Sequence, residues 1–301
     1  QMVEAIRDDT SRGGTGDLTA ADVSGREPPT TDDTPADRRT VDRRASALGF
    51  FGDARLRYEA NTGPEQRPDR HRGVLRARLG ARYALSDRLT LGARLTTGDR
   101  DNPNSTDVTL SDFNDSFEVS LDQAFARYRL GPADVYAGQF PQILRRTDLV
   151  WDGDVNPQGG GFSITSSGPG RTTWAGRGLL MVIDEDAVGS DSTMAGVQGE
   201  AELPIGPWTT TIAAAYYDYD LDSLAGADAG DFRSNRLDAA GNYLSDFDLV
   251  NLIAEFRHPG IAAGWPLSVV IDYVNNTGAV DDEDSGWGAD FYLGETEPGR
   301  W

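Results

Sequence analysis

Two groups of side chains in this sequence could do chemistry by their type and spacing. Asp152, Asp154 and Asn156 alternate along one segment, and oxygen ligands spaced that way can wrap a hard cation such as calcium. No glutamate closes that pattern as it does in an EF-hand, and segments rich in Asp and Asn commonly satisfy their own turns, so a solvated turn is the plainer reading. Two further acidic turns, one with Asp99, Asp101, Asn102 and Asn104 and one with Asp281, Asp282, Glu283 and Asp284, carry the same pair of readings. The second group is cationic: Arg55, Arg57, Arg76, Arg78, Arg82 and Arg94. Residues 47–98 hold ten arginines against five acids, a local +5 inside a chain of net charge -21. Gathered on the wall of a pore opposite acidic loops, these arginines would favour anionic solutes and orient dipolar ones. The alternative is a general solvated face whose screened pairs add little to stability or selectivity.

Nucleophilic catalysis finds little support. His71 and His258 stand far apart with no poised partner, and Gly159-Gly160-Gly161-Phe162-Ser163-Ile164 lacks the spacing of a nucleophile elbow. That glycine run reads as a flexible loop over a mouth. A paired-carboxylate glycosidase stays open on residue types alone, but nothing selects a pair. With Cys 0 and His 2, disulfides, thiol chemistry and a histidine-rich metal centre are excluded. No catalytic residue and no cofactor is assigned, and the acidity argues against nucleic acid as a partner.

The elements that must position the arginines are strands. In 48–60, Phe50, Ala54, Leu56 and Tyr58 take one parity and Asp53, Arg55, Arg57 and Glu59 the other; 72–85 and 88–97 repeat the pattern. An apolar row backed by an arginine row suits the wall of a water-filled transmembrane barrel, because lipid accepts only closed sheets or helices. A soluble sheet with one packed and one wet face gives the same alternation. No run approaches the roughly 20 apolar residues of a spanning helix. The mean hydropathy of -0.49 is compatible with a barrel, since only alternate side chains of each strand face lipid.

Further strands are expected at 117–130, 133–140, 171–183, 193–203, 208–219, 246–257, 266–274 and 286–294. Short turns such as Gly131-Pro132 and Pro204-Ile205-Gly206-Pro207 alternate with long polar loops such as 220–245, the asymmetry of an outer-membrane barrel. Eleven strands is an odd number where such barrels have an even one, so strands are missed or the chain continues. Trp301, after Pro298 and Gly299, reads as the opening of another strand. Residues 1–45 are a separate polar segment, flexible or folding only on a partner, and 46–301 are the barrel domain. An exported chain needs a signal sequence and none stands at Gln1, which implies processing or an upstream portion. Trp151, Trp174, Trp208, Trp265, Trp287 and Trp301, with Tyr58, Tyr83, Tyr216 and Tyr217, are candidate anchors at the membrane interfaces or core and loop aromatics.

Several segments in order resemble a bacterial family of putative porins: 96–106 with Leu110 and Phe113, then Leu121-Asp122-Gln123-Ala124-Phe125-Ala126-Arg127-Tyr128, Ala137-Gly138-Gln139-Phe140-Pro141, and Asp148-Leu149-Val150-Trp151 through Gly159. Ser285-Gly286-Trp287 and Pro298-Gly299-Arg300-Trp301 extend the resemblance, which covers roughly residues 48–301. It implies an all-β, antiparallel transmembrane β-barrel of roughly 14 to 18 strands when complete, its closing strands beyond Trp301. The expected function is passive diffusion of small hydrophilic solutes or ions through a pore lined by the six arginines, in the bacterial outer membrane. The expected partners are outer-membrane lipid, lipopolysaccharide, those solutes, and a homo-trimer or an envelope partner. The alternative is a structural or glycan- and envelope-binding β-protein without an open channel, which predicts a plugged interior where the pore reading predicts an open one.

Overall fold

Alternation at period two does build strands here, because it gives each strand one apolar and one polar face. The computed structural model describes residues 47–62, 69–99, 102, 105–110, 116–221, 235–262, 265–280, 282 and 284–294. Thirteen strands follow in chain order: β1 (Leu48–Asn61), β2 (Arg70–Ala84), β3 (Leu89–Thr97), β4 (Val108–Leu110), β5 (Val119–Leu130), β6 (Ala133–Gln139), β7 (Gln158–Ser167), β8 (Thr173–Asp184), β9 (Ser192–Ile205), β10 (Trp208–Asp220), β11 (Phe247–Ala262), β12 (Trp265–Asn276) and β13 (Ser285–Leu293). They form one antiparallel sheet in sequential order, except that β4 leaves the path to pair with β2.

The expected barrel of 14 to 18 strands is corrected by this order. Among the described residues β1 pairs only with β2 and β13 only with β12, so the sheet is open. Alternation decides which face a side chain takes, whereas closure requires the two outermost strands to pair, and no local pattern encodes that.

Two strands were invisible to periodicity. β4 has three residues and occupies the part of β2 that β3 leaves unpaired: β3 covers Arg78 to Ala84, β4 covers Gly73 to Leu75. The backbone N–H of Ala77, in the gap between them, donates to Thr97 Oγ1 at 2.9 Å, and that hydroxyl donates to the Thr106 carbonyl at 3.2 Å. The second is β7, where the glycine run expected to be a flexible loop pairs with β6 and β8. Its glycines are there for close approach. A Cβ on Gly161 would lie 2.9 Å from the Phe140 ring and from Ile143 Cδ1, and one on Gly159, at φ +152°, would lie 2.1 Å from the Leu180 carbonyl oxygen.

The expected end-to-end asymmetry is present. Tight turns at Gly131 and Gly206, both with positive φ, join strands at one end, and longer segments join them at the other. The outer face of the sheet is apolar: Phe50 (72% exposed), Leu56 (75%), Trp287 (74%) and Phe291 (73%) stand with Leu79, Leu121, Ile164, Leu180, Val197 and Ile271 out of any protein core. A soluble monomer rarely exposes so continuous an apolar surface.

Gly159→Ala should destabilise the folded protein by about 1–3 kcal/mol through strained backbone and the Leu180 contact. Gly199→Ala, whose Cβ would meet nothing within 4 Å, should stay within about 0.5 kcal/mol of the parent in the same urea-unfolding series.

Candidate functional site on the inner face

The inner face is organised by residues 141–157, which link β6 to β7 and fold back onto the sheet. Leu144, Leu149, Val150, Trp151 and Val155 of this segment are buried together with Phe140 against Leu179 and Met181 of β8, Met194 of β9, Tyr217 and Tyr219 of β10, Leu249 of β11 and Val274 of β12. Trp151 is fully buried and meets Tyr217 edge-on, ring centroids 5.6 Å apart. Truncating such a side chain typically costs about 3–5 kcal/mol.

Polar contacts fix the register of the segment. Arg145 Nε lies 2.6 Å from Glu200 and its Nη1 2.7 Å from Glu255, while the Arg145 backbone N–H donates to Gln198 at 2.7 Å and its carbonyl accepts from Gln198 at 2.8 Å. Burial opposes the charge on Arg145, but the two carboxylates outweigh it and hold the guanidinium pKa above its ordinary value. Thr147 Oγ1 donates to Asp272, which also accepts from Asn251 at 2.6 Å. At the other end of the segment Asp154 lies 3.3 Å from Arg78 and accepts from both the N–H and hydroxyl of Thr106 at 3.1 Å. Residues seven apart thus reach β12 and β2, so the inner face is gathered around this segment without its edge strands meeting.

All six arginines singled out in the sequence stand on this face, and each has a partner. Arg55 and Arg57 share Asp107 at 2.7 and 3.0 Å; Arg76 and Arg78 share Asp53 at 3.0 and 2.6 Å; Arg94 Nε lies 3.1 Å from Asp122 Oδ1. Arg82 stacks on the Phe51 ring at 4.7 Å. Arg76 and Arg78 are buried. Five of the six arginines thus belong to a compensated salt-bridge lattice. Asp53 alternates with Arg55 and Arg57 and is findable from parity, whereas Asp122 sits at a register shift in β5 and Asp107 and Asp154 come from distant segments, so none of these three is.

The calcium candidates diverge. Asp154 is engaged by Arg78 and Thr106, the Asn156 and Gln123 amides meet at 2.8 Å, and Asp152 accepts the Asp154 N–H at 2.8 Å. Among the described residues no group of three or more Asp, Glu, His or Cys is placed to hold a metal ion. Asp101, Asn104, Asp281 and Glu283 lie outside the described residues. The histidines are also occupied: His71 shares a hydrogen bond with Tyr58 at 3.1 Å, and His258 accepts the Gly260 N–H and lies against Trp208. Of the aromatic anchors, Trp174, Trp265, Trp287, Tyr58, Tyr83 and Tyr216 are exposed, while Trp151 and Tyr217 are core residues of the inner face.

An antiparallel sheet with an apolar outer face and a polar, ion-paired inner face defines the class of outer-membrane β-proteins. Residues 57–243 match the family described as "Putative porin", and the chain belongs to that family. It is a bacterial outer-membrane β-protein and not an enzyme. Among solved structures, a loop L8 deletion mutant of OmpT, an outer membrane protein of Vibrio cholerae, is similar at 13% identity over 82% of this chain and 86% of that one, with a TM-score of 0.41. The trimer form of in-vitro folded OmpT from Vibrio cholerae is similar at 12% identity over 82% of each chain, with a TM-score of 0.37. No curated protein matches. The expected water-filled diffusion channel, with its implied ion transport, is overturned by the open sheet: a pore needs a closed wall, and β1 and β13 do not meet.

Asp154→Ala should destabilise the fold by about 3 kcal/mol, because it takes one carboxylate away from a buried arginine; chemical unfolding of micelle-folded protein measures it. Asp152 provides a pH test. Packing around its carboxyl, with Asp154 and Asp148 adding negative charge, pushes its pKa up to about 6. The folded state then holds a proton that the unfolded chain releases near pH 4, so stability should fall as pH rises from about 4 to about 6 and level off above. The residue stays exposed, which screens the effect and keeps it small. A carboxyl titration by NMR should place the Asp152 midpoint near 6, and Asp152→Asn should remove the slope.

Proposed function

We propose that this chain is a structural, envelope-binding β-protein of the outer membrane whose inner face is filled by its own chain and does not serve as an open channel. The observation that carries the reading is the seating of residues 141–157: Trp151 fully buried in an apolar cluster, with Arg145 between Glu200 and Glu255. A conduit for hydrophilic solutes needs free, hydrated polar groups along a path. Here the polar groups around residues 141–157 are engaged with one another.

Outer-membrane lipid covers the outer face, where large apolar side chains are exposed. Lipopolysaccharide neighbours the end bearing the long connections, and an envelope component is the partner of the inner face. The exposed aromatics Trp174, Trp265 and Trp287 supply amphipathic rings for the lipid boundary.

Protein inserted in planar bilayers should give no stepwise ohmic current, although protease protection and heat-modifiable migration show it folded and inserted. Stepwise currents whose ion preference changes with Arg76→Glu and Arg78→Glu would overturn the proposal.

A further inference from the structure

The salt-bridge lattice of the inner face stops partway down the sheet, and below it cations stand without anions. Arg55, Arg57, Arg76, Arg78 and Arg94 each have a carboxylate within 3.1 Å. Nearer the short-turn end the pattern changes. Arg82 has the Phe51 ring beneath it and no carboxylate, and Arg127, half-buried, has no side-chain ion pair or hydrogen bond among the described residues. The acid closest in the register, Asp134, is already 3.4 Å from Arg129.

Strand register brings these two cations beside two hydroxyls. Thr90 on β3 stands directly opposite Arg127 on β5, and Arg127 directly opposite Tyr136 on β6. Paired positions share a face, so Thr90, Arg127 and Tyr136 form one row on the inner face. One row higher, Arg82 of β2 pairs with Gly92 of β3, and Gly92 with Phe125 of β5. Two strand spacings and one two-residue step put the Arg82 and Arg127 backbones roughly 12 Å apart, a gap that two guanidinium groups can close on a ligand between them. The ring that fills the space above Gly92 is Phe125, and the ring packed beside Tyr136 is Phe140, 5.5 Å between centroids. The neighbouring rings of Phe51, Phe125 and Phe140 bring no carboxylate to either cation.

Two guanidiniums without a carboxylate partner and two hydroxyl donors suit an oxyanion, since a guanidinium forks onto phosphate or carboxylate oxygens and a hydroxyl donates a further bond. We propose that Arg82, Thr90, Arg127 and Tyr136 form an oxyanion-binding site at the short-turn end of the inner face. Its ligand is a phosphate or carboxylate, free or pendant on an envelope polymer. The inference names a site for the envelope-binding reading and rests on it.

The test is titration calorimetry on the full chain folded in micelles, with inorganic phosphate as one probe and soluble, carboxylate-bearing peptidoglycan fragments as the other. Saturable binding is expected, weakening as salt rises, tenfold or more weaker in Arg127→Gln and in Arg82→Gln, and partly restored in Arg127→Lys. Arg257→Gln, at a separate surface pair with Glu202, should bind as the parent does. Binding of phosphate identifies a free oxyanion as sufficient; binding of the fragments alone identifies a pendant carboxylate. No binding to protein that is folded by circular dichroism, or binding indifferent to both arginines, overturns the site. Bilayer currents from protein that still binds phosphate would instead overturn the closed-face reading and leave the site standing.

Discussion

A sheet with one exposed apolar face has to satisfy its polar face from other sources, and in this chain the source is largely the segment 141–157. The rest of the inner face follows from that docking. Arg145 brings a full charge to a place where Glu200 and Glu255 are waiting. A half-buried pair of this kind contributes little net stability beyond an apolar packing, but breaking it is costly, so its effect is to define one position for the segment rather than to tighten it everywhere. The apolar side chains around Trp151 supply the burial that the polar contacts cannot. Glycines of β7 make room: Gly161 lets Phe140 and Ile143 lie close against the strand.

The same logic extends across the sheet. Asp154 carries the segment's far end to Arg78, and Arg78 shares Asp53 with Arg76. Asp107, just before β4, reaches Arg55 and Arg57. Two chain segments that leave the sheet therefore return to neutralise the arginines of β1 and β2. Where neither reaches, at Arg82 and Arg127, the positive charge is left for something outside the chain. The contrast between compensated and uncompensated cations on one continuous face gives the inner surface its direction.

Much of this was legible in the sequence and some was not, for definable reasons. The parity of Arg55, Arg57, Arg76, Arg78 and Arg94 placed them on one face because side chains alternate strictly along a strand. β7 is invisible to alternation because Gly159, Gly160 and Gly161 offer no side chain to alternate, although their lack of side chains is what lets the neighbouring backbone and Phe140 approach. In the sequence Trp151 fits an interfacial or a core aromatic equally; only the tertiary fold shows that it packs against Tyr217. The partner acids Asp107 and Asp154 are separated from their arginines by some fifty and seventy-six residues, so no local pattern announces them. Closure was expected from alternation, yet alternation constrains faces and not edges.

The seating of residues 141–157 is the central claim, and the absence of cysteine from the chain makes it directly testable. Thr147→Cys and Asp272→Cys place two thiols where the hydroxyl and carboxylate now touch. Under mild oxidation of the membrane-embedded double variant, the account predicts rapid formation of one intramolecular disulfide, with neither thiol open to a water-soluble maleimide beforehand. Thiols that stay reduced and react freely with the maleimide, in protein that remains folded, would show that the segment does not lie on the inner face.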